Sequence, residues 1–128
     1  MPRVLVVDDD PSLREVLSQG LEEAGMQTDT AEGGRTALQA LCRATADQNP
    51  YDAMVLDIVM PDINGWQVLE AVRSNPLWRD MPVVAISGFA NATDDVARVS
   101  DYGAFFVEKD GDFLSVIRSA ITRLVDAA

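Results

Sequence analysis

The sequence contains no histidine among its 128 residues. That absence removes the commonest general base and transition-metal ligand of proteins, and it excludes a phosphohistidine on this chain. Any chemistry here must therefore use carboxylates, hydroxyls, lysine or arginine. The single cysteine, Cys42, cannot form a disulfide within the chain. We expect Cys42 to be a small core or half-buried residue.

Basic residues are scarce, with 10 Lys and Arg against 21 Asp and Glu and a formal net charge of −11. Such a charge repels nucleic acid and anionic membrane surfaces, so we expect no direct binding to either. No apolar run approaches the roughly 18 residues that a membrane span needs. The first apolar run begins too close to Met1 for a signal peptide. These features predict a cytoplasmic protein.

The chain also lacks internal repeats and a recognisable interdomain linker, while 48% of its residues are hydrophobic. A chain of 128 residues is long enough for one domain with a substantial core and short for two. We therefore expect a single domain that spans residues 1–128.

Short apolar runs alternate with longer stretches of helical periodicity. The predicted strands are Val4–Val7, Gln27–Ala31, Ala53–Leu56, Pro82–Ile86 and Ala104–Val107. The predicted helices begin near Pro11, Gly33, Gly65, Ala92 and Phe113. The fourth helix has a thin apolar face, formed by Val96 and Val99. Five successive strand–helix units predict an α/β domain with a doubly wound parallel sheet.

Polar residues stand at the ends of four of the predicted strands. Asp8 and Asp9 follow the first strand, Asp57 closes the third, Ser87 follows the fourth and Lys109 follows the fifth. In doubly wound sheets, ligands bind outside the carboxyl ends of the strands, at the point where the winding reverses. We therefore expect these five side chains to converge on one crevice.

The charges of this predicted crevice indicate a metal. Two carboxylates about 4 Å apart repel by roughly 4 kcal/mol at an effective dielectric near 20. Lys109 supplies one positive charge, and Mg²⁺ suits the remaining carboxylates better than Zn²⁺ does. A carboxylate beside Mg²⁺ and an ammonium can attack phosphorus, with Ser87 and Lys109 contacting the non-bridging oxygens. Each residue alone also fits a helix cap, a turn or solvated surface. Their joint placement predicts a metal-dependent phosphoryl-acceptor site.

Four segments of the sequence carry a resemblance to a known family. They are "RVLVVDDDPSLR", "MVLDIVMPDINGW", "PVVAISG" and "FFVEK". Together they resemble the receiver domain of two-component response regulators (CheY-like), and the similarity extends over essentially the whole chain. The resemblance implies a single receiver domain over residues 1–128. It also implies a flavodoxin-like, five-stranded parallel sheet in the order 2-1-3-4-5 with five helices.

The resemblance implies specific roles for the acidic residues. Asp57 corresponds to the phosphoacceptor of the family. Asp9 and Asp57 correspond to direct Mg²⁺ ligands, with the backbone carbonyl of Val59 as the third protein ligand. Asp8 corresponds to a residue that acts mainly through a metal-bound water. The implied cofactor is therefore Mg²⁺.

The resemblance also implies how such a site works. A histidine kinase or phosphotransfer protein donates a phosphoryl group to Asp57, and Ser87 and Lys109 hold the phosphoryl oxygens. Ser87 and Phe106 correspond to the switch residues that reshape the face built by helix four, strand five and helix five. That face then binds a downstream protein target or a second copy of the chain. Such a regulator is not an enzyme beyond its own phosphorylation and dephosphorylation.

The sequence departs from the family pattern near Lys109. The family usually has proline after its lysine, whereas Asp110 and Gly111 follow here, so we expect a more mobile loop before helix five. Phe106 stands where tyrosine is commoner, which removes a hydroxyl from the switch position. Val59 and Phe89 are apolar and cannot orient an attacking water, so we expect slow autodephosphorylation.

Two other functions remain open from the sequence. One is a phosphatase of the haloacid dehalogenase type, which resembles the pattern D-x-D. The residue two positions after Asp57 is Val59, which cannot serve as a general acid. The other is a receiver-like interaction module that is never phosphorylated. Only the Lys109–Asp110 junction favours that module.

Overall fold

The structure, a computed structural model, describes residues 1–60, 62–88 and 92–126. Five strands and five helices alternate along these residues. The elements are β1 (Arg3–Val7), α1 (Pro11–Glu23), β2 (Gln27–Ala31), α2 (Gly34–Ala46), β3 (Ala53–Asp57), α3 (Gly65–Ser74), β4 (Val83–Ser87), α4 (Ala92–Asp101), β5 (Phe105–Glu108) and α5 (Phe113–Asp126). Every predicted strand lies within one residue of the observed strand at both ends.

The five strands form one parallel sheet in the order β2-β1-β3-β4-β5. The chain first winds from β1 to β2 on one side and then crosses to β3, β4 and β5 on the other. The reversal falls between β1 and β3, where Val7 pairs with Leu56. The carboxyl ends of these two strands therefore border the crevice in which doubly wound sheets bind ligands. This topology confirms the predicted fold class.

Successive residues of the central strands point to opposite faces of the sheet. Leu5 and Val7 belong to the core cluster that α2 and α3 cover, whereas Val4 and Val6 belong to the cluster that α1 and α5 cover. All four side chains are fully buried. The central strands are therefore enclosed by two apolar layers and present polar groups at their ends, whereas the edge strand β2 also exposes polar side chains along its length.

The first helix begins where its sequence predicts. The Asp10 side chain accepts hydrogen bonds from the backbone N–H groups of Ser12 and Leu13, and Pro11 occupies the first helical position. Proline is favoured there because the first N–H of a helix has no partner within the helix. The cap fixes the direction in which the chain leaves β1, directly after Asp8 and Asp9.

The prediction for Cys42 is wrong, because the residue is exposed. Helix α2 turns Ala37, Leu41 and Ala44 toward the core. Cys42 follows Leu41 by one residue, a rotation of about 100° around the helix axis, and so it leaves the buried stripe. A buried position for Cys42 would have required a wider apolar face than α2 has.

The remaining helices agree with their expected amphipathic character. In α4, Val99 is fully buried while Val96 is 46% exposed, so of the two residues predicted to form its apolar face only Val99 lies in the core. The longest helix, α5, has 14 residues. Within the described ranges, no helix is long and apolar enough to cross a membrane.

Candidate functional site

The carboxyl edge of the sheet brings together the polar residues that the sequence singles out. Asp57 and Ser87 are the last residues of β3 and β4, and Asp8 directly follows β1. Lys109 directly follows β5, and its backbone N–H donates to the carbonyl of Ser87 at 2.9 Å. Asp8, Asp57 and Ser87 are almost fully buried, whereas Asp9 is exposed. Four strands thus contribute to one polar pocket at the switch point of the sheet.

The pocket holds more negative than positive charge. Lys109 Nζ lies 3.2 Å from Asp8 Oδ2 and also 3.2 Å from Asp57 Oδ2. One carboxylate oxygen from each of Asp8, Asp9 and Asp57 lies within 4.8 Å of the other two. The one lysine of the chain thus pairs with two of the three clustered carboxylates. Such an arrangement favours a bound cation or partial protonation.

Each buried carboxylate has one oxygen oriented by a backbone N–H group. Asp57 Oδ1 accepts a hydrogen bond from the N–H of Val59 at 3.0 Å, and Asp8 Oδ1 accepts one from Asp10 at 2.9 Å. The other oxygen of each carboxylate faces Lys109. The loops after β1 and β3 therefore hold both carboxylates in fixed orientations around a common space.

The donor set fits a hard divalent cation. Asp8 Oδ2 is buried and accepts no hydrogen bond from the side chains and backbone that the structure describes, although Lys109 lies within ion-pair distance. A buried carboxylate oxygen normally has hydrogen-bond or metal partners. Three carboxylates offer the oxygen ligands that Mg²⁺ prefers, and the exposure of Asp9 leaves one side open to water.

The crowding of charge changes the acidity of the pocket. Burial and the neighbouring Asp8 raise the pKa of Asp57 to about 6, while Lys109 and the Val59 N–H partly offset them. Burial disfavours the ammonium of Lys109, but the charges of Asp57 and Asp8 outweigh it, so the pKa of Lys109 is raised. At neutral pH, Asp57 is therefore mainly a carboxylate beside a charged ammonium. Such a carboxylate is available as a nucleophile.

The structure also places the other residues of interest. The Val59 side chain is 48% exposed, and its N–H is engaged by Asp57. Phe106 is half-buried and packs against the core cluster that α2 and α3 cover. The predicted carbonyl ligand at Val59 and the predicted switch at Phe106 stay predictions. Phe89 lies outside the described residues.

The loop after Lys109 forms a tight turn at Asp110 and Gly111. The N–H of Asp110 donates to the carbonyl of Glu108 at 2.8 Å, and Gly111 has a φ of +50°. Glycine adopts this left-handed conformation without a steric penalty. No cis peptide bond occurs within the residues that the structure describes. The chain therefore reverses beside the pocket through backbone conformation alone.

Gly65 supports the site in a way that the sequence did not reveal. A Cβ at this position would lie 2.4 Å from the Cα of Ile58 and 2.7 Å from the carbonyl oxygen of Asp57. The N–H of Gly65 also donates to the carbonyl of Ile58 at 2.8 Å. Because a side chain is absent, α3 approaches the end of β3 closely. A glycine at the start of a helix was the only sequence signal, and it does not distinguish close packing from a cap.

Asp62 is a second residue that the sequence did not single out. Its carboxylate accepts hydrogen bonds from the N–H of Gly34 at 3.1 Å and of Arg35 at 3.4 Å, at the start of α2. The Gly34 hydrogen bond in particular holds the pKa of Asp62 below its usual range. A Cβ on Gly33 would lie 2.7 Å from the same carboxylate. The two glycines therefore let the β3–α3 loop cap α2.

The pocket geometry agrees with comparisons to known proteins. A profile of the response regulator receiver domain matches residues 4–120. The chain belongs to that family. It is 31% identical to the transcriptional regulatory protein PcoR of Escherichia coli over 124 residues, which cover 97% of this chain and 52% of PcoR. It is 33% identical to KdpE of Mycobacterium tuberculosis, covering 100% of this chain and 54% of KdpE. This receiver domain thus spans about half the length of these curated relatives.

Solved receiver structures have the same fold. The response regulator TrrA of Thermotoga maritima, solved in complex with Mg²⁺-BeF, superposes with a TM-score of 0.79 and 31% identity, covering 97% of this chain and 99% of TrrA. A sensor protein from Polaromonas sp. JS666 superposes with a TM-score of 0.84 and 27% identity, covering 98% and 97%. The predicted family and strand order are confirmed. These relatives are response regulators and receiver domains, as expected of a phosphorelay switch, and nothing in them favours a module that is never phosphorylated.

Proposed function

We propose that Asp57 accepts a phosphoryl group from the phosphohistidine of a histidine kinase or phosphotransfer protein. The observation that carries this proposal is the Asp57 carboxylate, buried at the switch point with one oxygen fixed by Val59 and the other beside Lys109. An Asp57 oxygen forms the new bond to phosphorus while the bond from phosphorus to the histidine nitrogen breaks. The leaving imidazole takes up a proton. The product is an aspartyl phosphate.

Residues of the acidic pocket would hold Mg²⁺ during this reaction. We assign Asp9, Asp57 and the Val59 carbonyl as direct ligands and Asp8 as a ligand through water. When bound, the cation neutralises charge on the acceptor and phosphoryl oxygens. The proximity of the three carboxylates supports this assignment, as does the buried Asp8 Oδ2, which is paired only with the Lys109 ammonium among the described residues. The similarity to TrrA, solved with Mg²⁺-BeF, supports it as well.

Ser87 and Lys109 would contact the oxygens of the transferred phosphoryl group. Lys109 Nζ already lies 3.2 Å from Asp57 Oδ2, so an oxygen of a group on Asp57 stays within its reach. Ser87 is the last residue of β4, the strand next to β3, and it pairs with Glu108 in the register of β4 and β5. A displacement of Ser87 toward the phosphoryl group would therefore be felt at the end of β5. Phe106, which lies two residues before Glu108 on β5, is the second residue of the proposed switch.

The output of the switch would be the face formed by α4, β5 and α5. Each of these elements exposes one large apolar side chain, since Val96, Phe105 and Val116 are between 45% and 49% exposed. Exposed apolar side chains on adjacent elements favour protein contacts. We propose that this face binds a downstream protein, with a second copy of the chain as the other occupant. Sedimentation with and without phosphorylation separates the two.

The remaining proposals concern the context of the domain. We propose that residues 1–128 form one receiver domain that works in the cytoplasm, where two-component kinases present their phosphohistidine. The formal net charge of −11 supports output through protein contact rather than through nucleic acid bound by this domain itself. Acting only on its own Asp57, such a domain turns over no external substrate.

Intact-mass spectrometry after incubation with acetyl phosphate and Mg²⁺ tests the central proposal. We expect a gain of one phosphoryl group in the wild type. Asp57→Asn removes the nucleophile while keeping the side-chain volume, so the gain should vanish. Removal of Mg²⁺ with a chelator should also abolish it. A gain that persists in Asp57→Asn would place the acceptor elsewhere, and a folded, Mg²⁺-binding wild type that gains nothing would favour the module that is never phosphorylated.

A further inference from the structure

Arg14 makes a contact with the acidic loop that the proposed reaction does not use. Its Nη1 donates a hydrogen bond to the backbone carbonyl of Asp8 at 2.7 Å. Arg14 is the fourth residue of α1, at the end of its first turn, and this bond folds its side chain back onto the end of β1. The contact is partly buried. A short hydrogen bond from a charged donor is stronger than one between neutral groups.

The same bond restrains Asp9. The carbonyl oxygen of Asp8 and the nitrogen of Asp9 belong to one planar peptide unit, so fixing the oxygen fixes the plane from which Asp9 continues. The Asp9 side chain is exposed and, within the described part of the chain, forms no hydrogen bond or ion pair. The position of its carboxylate therefore depends on the backbone that Arg14 holds.

The backbone and side-chain polar groups of Asp8 each have a polar neighbour. Its N–H donates to the carbonyl of Ala31 at 3.2 Å, its Oδ1 accepts from Asp10, and its Oδ2 faces Lys109. Arg14 supplies the partner of the remaining group, the carbonyl. Of these contacts, the one from Arg14 acts directly on the peptide that links Asp8 to Asp9.

We propose that Arg14 is a positioning residue for the cation site, which it serves by orienting the Asp8–Asp9 peptide. This inference rests on the proposed Mg²⁺ site. Arg14 touches neither the cation nor the phosphoryl group. Groups that orient metal ligands typically change metal affinity about 10- to 100-fold when they are removed. The Asp10 N–H, held by Asp8 Oδ1, restrains the peptide after Asp9, whereas Arg14 restrains the peptide before it. Because the Asp9 side chain itself has no partner among the described residues, the loss of Arg14 should displace its carboxylate.

The charge of Arg14 has the opposite effect on cation binding. A guanidinium near a cation site repels the cation, so its removal should tighten Mg²⁺ binding if charge were its only contribution. Loss of the hydrogen bond should weaken binding, because the Asp8–Asp9 peptide is released. The sign of the change therefore separates a positioning role from a purely electrostatic one.

Isothermal titration of the unphosphorylated chain with Mg²⁺ measures this sign. The variants are Arg14→Gln and Arg14→Lys, with Arg35→Gln as the matched control. Arg35 is exposed in the first turn of α2, and its guanidinium forms no hydrogen bond or ion pair with any described residue. Both glutamine variants change the net charge equally. We expect Arg14→Gln to raise the Mg²⁺ Kd about tenfold, Arg14→Lys to raise it less, and Arg35→Gln to leave it unchanged or slightly lower.

A kinetic measurement separates positioning from general damage. Phosphorylation of Arg14→Gln by acetyl phosphate should need more Mg²⁺ to reach half its maximal rate, while the maximal rate at saturating Mg²⁺ stays near that of the wild type. A variant that is merely misfolded would lose the maximal rate instead. Circular dichroism checks the fold, and if Arg14→Gln does not fold, the Mg²⁺ Kd of Arg14→Lys decides.

The outcomes distinguish this inference from the proposal on which it rests. A wild type that binds Mg²⁺, together with an Arg14→Gln Kd equal to or lower than that of Arg35→Gln, would overturn the role of Arg14 alone. A wild type that binds no Mg²⁺ would overturn the proposed site and the role of Arg14 with it. A raised Kd that Arg14→Lys partly restores is the result we expect.

Discussion

The amino and carboxyl edges of the sheet differ in how well their charged side chains are paired. At the amino edge, Arg3 and Arg73 are each surrounded by oxygen acceptors, so their positive charges are well satisfied. At the carboxyl edge, Asp8 and Asp57 are buried beside a single ammonium, that of Lys109. Both edges belong to the same strands and the same core. The contrast between them therefore comes from the polar residues at the strand ends and not from the packing beneath.

The amino edge of β1 shows how a charge is satisfied. The Arg3 side chain forms a salt bridge with Asp29 at 2.7 Å, and its guanidinium lies 4.5 Å from the centre of the Tyr51 ring. The Tyr51 hydroxyl donates to the same Asp29 oxygen at 2.7 Å. Burial and this hydrogen bond raise the pKa of Tyr51 to about 12. The group thus stays neutral and donates its proton throughout the physiological range.

The Arg73 guanidinium is likewise satisfied, by backbone carbonyls of the loops that lead into β4 and β5. Its guanidinium donates to the backbone carbonyls of Arg79 at 2.9 Å and Met81 at 2.8 Å, and to those of Tyr102 and Gly103. Four carbonyls that leave regular structure thereby gain a partner. The Arg73 side chain, near the end of α3, thus links the loop before β4 to the loop before β5.

This difference in charge pairing indicates that the amino edge serves stability and the carboxyl edge serves function. At the amino edge, Arg3 and Arg73 have hydrogen-bond or ion-pair partners, as buried polar groups of folded proteins normally do. The carboxyl edge keeps surplus negative charge, a cost that a structural site would avoid. Surplus charge of this kind marks sites whose task is to bind a cation or react. The predictions below alter one edge at a time.

The largest effect should come from Gly65→Ala at the carboxyl edge. The new Cβ would lie 2.4 Å from the Cα of Ile58, so either α3 or the end of β3 must move. We expect a loss of about 3 kcal/mol in unfolding free energy together with impaired phosphorylation of Asp57. Denaturant unfolding and intact-mass assays measure the two effects.

Gly20→Ala is the matched control for this substitution. Its Cβ would meet only the Cδ of Arg118, at 3.6 Å, which is an ordinary contact. Alanine within α1 should stabilise the chain by about 0.5–1 kcal/mol. Equal stability changes in the two variants would contradict the close approach of α3 to β3.

Arg73→Ala removes the hydrogen bonds of the Arg73 guanidinium at the amino edge. Four carbonyls lose their donor, and we expect a loss of about 2 kcal/mol in unfolding free energy. Because the carboxyl edge is untouched, the Mg²⁺ Kd should stay within twofold of the wild type at temperatures where the variant is folded. Urea unfolding and calorimetric titration test these expectations.

Arg79→Ala controls for charge, since it removes a guanidinium from an exposed neighbouring residue and leaves the backbone carbonyl that Arg73 contacts. We expect it to change stability little. If Arg79→Ala were as destabilising as Arg73→Ala, general electrostatics rather than the four carbonyl contacts would explain the loss.

Asp57→Asn should stabilise the protein at neutral pH. The folded pKa of Asp57 is about 6, above the ordinary value of an aspartate. Between these values the folded state binds more protons at Asp57 than the unfolded state does, so this group lowers stability as pH rises toward 6. Without Mg²⁺ at pH 7.5, we expect a gain of about 1–2 kcal/mol that shrinks at pH 5.

Thermal unfolding at several pH values measures this gain. Glu15→Gln provides the control, because it removes one negative charge from an exposed position of α1. The control should show no such dependence on pH. A gain at pH 5 equal to that at pH 7.5 would contradict the raised pKa of Asp57.

The smallest effect concerns the contact between α3 and α4, which lies between the two edges. The Arg98 guanidinium sits 4.0 Å from the centre of the Trp66 ring, and Tyr102 packs 6.3 Å from the same ring. A double-mutant cycle of Trp66→Leu and Arg98→Met should give a coupling of about 0.5–1 kcal/mol. A coupling near zero would show that the contact between Arg98 and Trp66 does not help to hold α4 against α3.

Much of the fold could be predicted because its signals are local. The apolar runs of β1, β3 and β4 reveal buried parallel strands, and Asp10 with Pro11 marks the start of α1. The polar residues of the site could be predicted for the same reason, because each lies within two residues of the end of a strand. The topology of the sheet then brings them together.

The contacts that support the site could not be predicted in this way. Arg73 reaches a carbonyl 29 residues away, and Gly65 matters because of the neighbouring strand end rather than its own helix. The sequence around Arg14 resembles that of any amphipathic helix with an exposed polar face. Such contacts depend on the packed arrangement of elements, which periodicity and composition do not encode.

The most direct test of the carboxyl edge is an NMR titration of the Asp57 carboxyl carbon with and without Mg²⁺. Without the cation, we expect a pKa of about 6, because burial and Asp8 disfavour the charged form. With saturating Mg²⁺, the pKa should fall clearly below that value, because the cation stabilises the carboxylate. An ordinary aspartate pKa that Mg²⁺ does not change would contradict a carboxyl edge built for a cation and a phosphoryl group.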